Sequence, residues 1–79
     1  MEMELTARAE ALFASSLQPS AHATPEQVEA AITASLAAHQ GQNGCVAILA
    51  AEYGKDPQVA AHRMHWALTE CRATGRSAQ

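Results

Sequence analysis

The chain lacks the features that define several large classes of protein. It has no run of about 20 apolar residues, which excludes a membrane-spanning helix. It has only two cysteines, Cys45 and Cys71, too few for a disulfide framework. The first ten residues, MEMELTARAE, have neither the basic nor the apolar segment of a signal peptide. We therefore expect a cytoplasmic protein, with no membrane association, in which both thiols are free.

Large apolar side chains are also scarce, although the composition is 48% hydrophobic. There are 19 alanines, against 17 residues of all the larger apolar types together, and only three aromatic residues. Alanine favours helices but buries little area, so the hydrophobic core of the 79-residue chain should be thin. We expect a single helical domain over 1–79, for which self-association is one common remedy.

Charge of neither sign dominates the chain, whose net charge is −3. Residues 1–40 hold five acidic side chains and one arginine, whereas residues 41–79 hold four basic and three acidic side chains. Non-specific nucleic-acid binding usually needs a strongly basic face, which this distribution does not provide.

Two helices are predicted in the first half of the chain. Apolar residues spaced three and four apart predict the first helix over about 3–17. Thr24 and Pro25 predict the start of the second helix, over 25–40, as N-cap and first helical residue, and Gln27 completes a capping box. The sequence Gly-Gln-Asn-Gly at 41–44 is expected to end it.

Two more helices are predicted in the second half. The third, over 45–53, is apolar nearly all round and should therefore be buried by its neighbours, with Gly54 as its cap. The fourth, over 57–73, starts at an Asp-Pro pair and should end at Gly75. Its inward stripe is predicted to contain Ala60, Met64, Ala67, Leu68 and Cys71.

The segment LAAEYGKDPQVAAHRMHWAL, at 49–68, resembles the helix-turn-helix of sigma-factor-type DNA-binding proteins. The resemblance implies that Ala50 lies where the two helices cross and that Gly54 opens the turn. It also implies that Ala60 and Met64 hold the second helix against the first. Two positions depart from the family: Lys55 replaces the usual apolar residue of the turn, and Asp56 brings a carboxylate towards phosphate.

Metal binding and catalysis have weaker support than either surface role. His62 and His65 share a helix face, but zinc needs a third and usually a fourth ligand, which the spacing does not supply. Cys71 and His65 are six residues apart on one helix and point in different directions, so they cannot form a nucleophile and base. We therefore predict no catalytic residues, no metal and no cofactor.

Segments such as AEALFASSLQPS and TPEQVEAAI, with the run at 44–68, are similar to a group of short uncharacterised all-helical actinobacterial proteins. That likeness implies a standalone chain and transfers no activity. We expect an all-α, compact four-helix domain with a helix-turn-helix-like C-terminal hairpin. Our first hypothesis is a non-enzymatic protein-interaction or regulatory module with a protein partner or self-association. The alternative is a small helix-turn-helix DNA-binding protein that contacts DNA through Lys55, Gln58, His62, Arg63 and His65.

Overall fold

Helices account for 82% of the residues described by the computed structural model, and no strand occurs among them. The structure describes residues 4–77, with side chains through residue 74. The predicted all-α, four-helix fold is confirmed. The elements are α1 (Leu5–Phe13), a 3-10 turn (Pro19–Ala21), α2 (Pro25–Ala38), α3 (Gln42–Lys55) and α4 (Pro57–Ser77).

Helix α1 is shorter than the predicted 3–17, of which residue 3 lies outside the described residues. The chain leaves the helix at Ala14. The hydroxyl of Ser15 donates to the carbonyl of Leu12 at 2.6 Å and accepts from the amide of Leu17 at 3.2 Å. Serine competes in this way with helical hydrogen bonding, so the apolar spacing continued beyond the end of the helix. Leu17 nevertheless packs against the core.

The start of α2 is as predicted. The Thr24 hydroxyl accepts from the amide of Gln27 at 3.2 Å, and the Gln27 side chain accepts from the amide of Thr24 at 2.8 Å. Pro25 occupies the first helical position, where its missing N–H is not needed. These three residues form the predicted capping box.

The connection from α2 to α3 is tighter than predicted. Helix α2 ends at Ala38, because Gln40 and Gly41 both adopt positive φ angles, of 61° and 97°. The next helix begins at once, at Gln42, instead of at residue 45. Gly44 therefore lies inside α3, where a Cβ atom would overlap the main-chain oxygen of His39. The sequence suggested that this glycine ended a helix, whereas it allows the two helices to approach closely.

The connection from α3 to α4 is also shorter than predicted. Helix α3 continues through Gly54 to Lys55, so Gly54 neither caps the helix nor opens a turn. Asp56 alone separates the helices, with an extended backbone (φ −153°). Its carboxylate accepts from the amide of Val59 at 3.2 Å, as expected of an N-cap. Gly75 does not end α4, which continues to Ser77.

Helix α1 occupies the centre of the fold. It packs against all three other helices, most extensively against α4. Alanines on more than one of its sides let these neighbours approach closely. Its fully buried residues are Ala9, Ala11, Leu12 and Phe13.

The prediction that α3 is buried by its neighbours is wrong. Cys45 is its only buried residue, and Leu49 and Tyr53 are partly buried against the core. Val46 and Ile48 remain 39% and 37% exposed. The central place falls to α1 because both of its ends are held by contacts from other helices, as described below.

The predicted inward stripe of α4 is confirmed. Ala60, Ala67 and Cys71 are buried, and Met64 and Leu68 pack against them partly buried. The two thiols are free, as predicted, and both lie in the core. No helix within residues 4–77 has the length and apolar content needed to cross a membrane.

Candidate interaction surfaces on helices α3 and α4

Arg63 does not lie on an open surface with the other predicted DNA-contacting residues. Its Nε atom donates to the carbonyl of Phe13 at 2.8 Å, and its Nη2 atom lies 2.9 Å and 3.0 Å from the carbonyls of Ser15 and Leu17. The carbonyls at a helix end have no partner within the helix and must find donors elsewhere. Arg63 therefore supplies hydrogen bonds to the end of α1 and to the turn that follows it.

Two aromatic rings enclose the same guanidinium. Its Cζ atom lies 4.8 Å from the ring centroid of Trp66 and 5.7 Å from that of Phe13. The Phe13 ring stacks in turn on Tyr53, with centroids 6.1 Å apart. Burial lowers the pKa of Arg63, an effect that the nearby charge of Glu52 opposes. The side chain is a structural cation, whose hydrogen-bonding capacity is largely used inside the fold.

The remaining predicted contact residues are exposed. Gln58, His62 and His65 follow one another at steps of four and three residues, so they share the outer face of α4. Lys55 stands at the end of α3, with its ammonium 4.0 Å from the carboxylate of Glu52. The structure thus groups three of the five residues on one helix face, places Lys55 just before that helix and turns Arg63 inward.

The local geometry differs from the helix-turn-helix resemblance at two positions. Ala50 is exposed and does not lie at a helix crossing, so that expectation is wrong. Gly54 is helical, and the connection consists of Asp56 alone. A helix-turn-helix joins its helices by a turn of three to four residues. Ala60 and Met64 do pack inward, as the resemblance implied.

The outer face of α3 was missed as a candidate site. Its exposed residues are small or apolar, and residues 30–51 contain no Asp, Glu, Lys or Arg. That uncharged run was the available signal, but an apolar helix was taken to be a buried one. The exposed residues in the centre of the face are Ala47, Ala50 and Ala51, and Val46 and Ile48 flank them.

A shallow groove of about 340 Å³ separates the end of α1 from α2. It is lined mainly by alanine and serine. The imidazole of His39 lies at its edge, with Nε2 3.1 Å from the carbonyl oxygen of Ala14. Because that ring nitrogen already faces a main-chain partner, the groove offers little chemistry to a polar ligand.

The described residues contain no group of three or more His, Cys, Asp or Glu side chains placed to hold a metal ion. Cys71 is 2% exposed, whereas His65 is exposed on the outer face of the same helix. Burial raises the pKa of the Cys71 thiol, although the positive charge of Arg8 opposes the shift. A thiol held in its protonated form is a poor nucleophile.

Comparison of the chain with known protein families, curated proteins and solved structures found no match.

Proposed function

We propose that this chain is a small non-enzymatic protein-interaction module whose contact surface is the outer face of α3. The observation that carries the proposal is an exposed helix face without a charged residue between Gln42 and Ala51. The buried centres of protein interfaces are depleted in charged residues, whereas ordinary protein surface is not. An uncharged helix face that no part of the described chain covers is therefore suited to another protein surface.

The positions of the reactive side chains support a role without catalysis. Both thiols are core residues, and the raised pKa of Cys71 disfavours the thiolate. We place the module in the cytoplasm, where unpaired thiols such as these persist.

A DNA-binding role is the second candidate, favoured by the shared exposure of Gln58, His62 and His65 on α4. Glutamine can pair with adenine in the major groove. Phosphate contacts supply much of the affinity for DNA, however, and Arg63 is occupied by main-chain carbonyls. The remaining cation beside this face, Lys55, is close to Glu52. The geometry therefore favours protein contact over DNA contact.

Site-specific photo-crosslinking in cells that naturally produce the protein tests the proposal. A photoreactive phenylalanine analogue is introduced at Ala47, in the centre of the α3 face, and in a matched control at Ala61, which is exposed on α4. We expect a discrete covalent adduct with a protein from position 47 and none from position 61. An equal yield from both positions, or no adduct from position 47, would contradict the proposal.

A further inference from the structure

We infer that the outer face of α3 binds the same face of a second copy of this chain, with the two α3 helices antiparallel. The inference rests on the proposed function and names its partner. Its starting point is the arrangement of the face, in which a centre of small side chains at Ala47 and Ala51 has a larger apolar side chain on either side. Val46 and Ile48 are these flanking residues, and each leaves more than a third of its surface exposed.

The shape of the face fits a copy of itself. A two-fold interface uses the same patch on both chains, so the patch must be complementary to itself. Alanines at the centre let two helix backbones come close. Val46 and Ile48 of each copy can then lie over the small residues of the other. A flat face of large side chains would hold the helices apart, and a face of alanines alone would bury too little area.

Charge favours the second copy and determines the orientation. Two copies that each carry a net charge of −3 repel each other, and the repulsion is smallest where both faces are uncharged. A parallel pair would place Glu52 beside Glu52 of the second copy, and Lys55 beside its Lys55. An antiparallel pair places this charged end beside the uncharged start of the partner helix, near Asn43. It also sets the two helix dipoles in opposite directions, which is favourable.

The available area determines the expected strength. A 14-residue helix is roughly 21 Å long, so one helix pair buries on the order of 300–400 Å² per copy. Stable interfaces bury about 800 Å² per partner. We therefore expect a weak, reversible dimer with a dissociation constant on the order of 100 μM, not a permanent one.

Sedimentation analysis of the full chain over a concentration series from about 10 μM to about 1 mM, either side of that dissociation constant, tests the inference. The average mass should rise from 8.3 kDa towards that of a dimer. Ala47→Glu should weaken association at least about tenfold, because it buries a charge in the contact. Ala61→Glu, the same substitution on the exposed face of α4, should associate like the wild type. Circular dichroism must show equal helix content in all three proteins.

Disulfide formation between introduced cysteines tests the orientation. Chains carrying Ala47→Cys are mixed with chains carrying Ala51→Cys and oxidised gently; the two native thiols are buried. The antiparallel pair predicts that the mixed 47–51 disulfide exceeds both symmetric products. Symmetric 47–47 and 51–51 products in excess would overturn the antiparallel arrangement.

The inference and the proposed function can fail separately. A chain that stays monomeric at every concentration, or an Ala47→Glu variant that still associates, would overturn the second-copy inference. A photo-adduct from position 47 whose mass and peptides identify a different protein would also overturn it, but would leave the interaction-module proposal intact. Absence of any adduct from position 47 would contradict the proposed function itself.

Discussion

The guanidinium of Arg63 and the carbonyl of Phe13, fifty residues apart in the chain, are joined by a hydrogen bond of 2.8 Å. Through this contact and those with Ser15 and Leu17, one side chain of α4 holds the end of the central helix α1. The bond brings a charged group into partly buried space without a carboxylate directly bonded to it. Charge-assisted hydrogen bonds and two aromatic rings compensate for the lost hydration.

Arg63→Met should destabilise the fold by about 2–4 kcal/mol, because hydrogen bonds from a charged donor contribute about 1.5–3 kcal/mol and the carbonyls would lose their donors. Arg63→Lys should recover only part of this, since an ammonium cannot reproduce the planar set of donors. Urea unfolding at neutral pH measures both variants. Arg72→Met, an exposed position on the same helix, is the control and should change stability by less than about 0.5 kcal/mol. Equal losses at both positions would refute the structural role of Arg63.

Two glycines in the same helix should respond in opposite ways to alanine. A Cβ at Gly44 would overlap the main-chain oxygen of His39, whereas one at Gly54 would meet nothing within 4 Å. Gly44→Ala should destabilise the fold by at least about 1–3 kcal/mol, the usual range for overpacking. Gly54→Ala should stabilise it by up to about 1 kcal/mol, because alanine is the better helix former. Thermal melts of the two variants provide the comparison, and a stabilised Gly44→Ala variant would show that the helices are not in close contact.

The ion pair between Arg8 and Glu29 should make stability depend on pH in the acidic range. The hydrogen bond from Arg8 lowers the pKa of Glu29 in the folded protein. The stabilisation is therefore complete above the unfolded-state pKa of about 4.3 and is lost as the pH falls through the lower folded-state value. The Glu29 side chain is 49% exposed, so solvent screening limits the effect to about 0.5–1 kcal/mol.

Urea midpoints measured between neutral pH and about pH 3, below the unfolded-state pKa, test this pair. The stability of Glu29→Gln should fall less steeply on the acid side than that of the wild type. In an Arg8→Gln background the same substitution should have little further effect, as expected of a coupled pair. A steeper acid loss in Glu29→Gln would reverse the assigned sign.

The two cysteines should resist alkylation until the protein unfolds. Cys45 and Cys71 are buried, and burial also raises the pKa of Cys71, which further reduces its thiolate fraction. Labelling in native buffer should be on the order of 100-fold slower than in denaturant, since the labelled state requires local opening that costs a few kcal/mol. Mass spectrometry under non-reducing conditions should show two modified thiols after denaturation. Absence of labelling in denaturant would indicate a disulfide.

DNA binding should be undetectable even at low salt. With Arg63 engaged in the fold, the α4 face has too little positive charge for phosphate contacts, and we expect no binding to labelled mixed-sequence duplex at about 50 mM salt. Fluorescence anisotropy measures this directly. The informative variant is Lys55→Glu combined with His65→Glu, because both side chains are exposed and their replacement should leave the core intact. Binding by the wild type that this variant abolishes would favour the DNA-binding candidate.

Local sequence was sufficient for the helices and for several of their ends. The capping box at Thr24 and the N-cap at Asp56 depend on hydrogen bonds between residues three apart, which a sequence shows directly. The inward stripe of α4 follows from helical periodicity, and Ala60, Ala67 and Cys71 are buried as that periodicity predicts. The apolar character of α3 was equally visible in the sequence, but periodicity does not show which apolar helix the others surround.

The tertiary structure alone decided which helix became central and which apolar face stayed exposed. Arg63 could have faced solvent or DNA as far as its position in α4 indicates. Its contact with α1 depends on how the chain returns over fifty residues. Gln42 similarly reaches the carbonyl of Ala7 at 3.0 Å, which ties the start of α3 to α1. Such contacts hold α1 inside and leave the outer face of α3 uncovered, because burial depends on which surfaces meet and not on the composition of one helix.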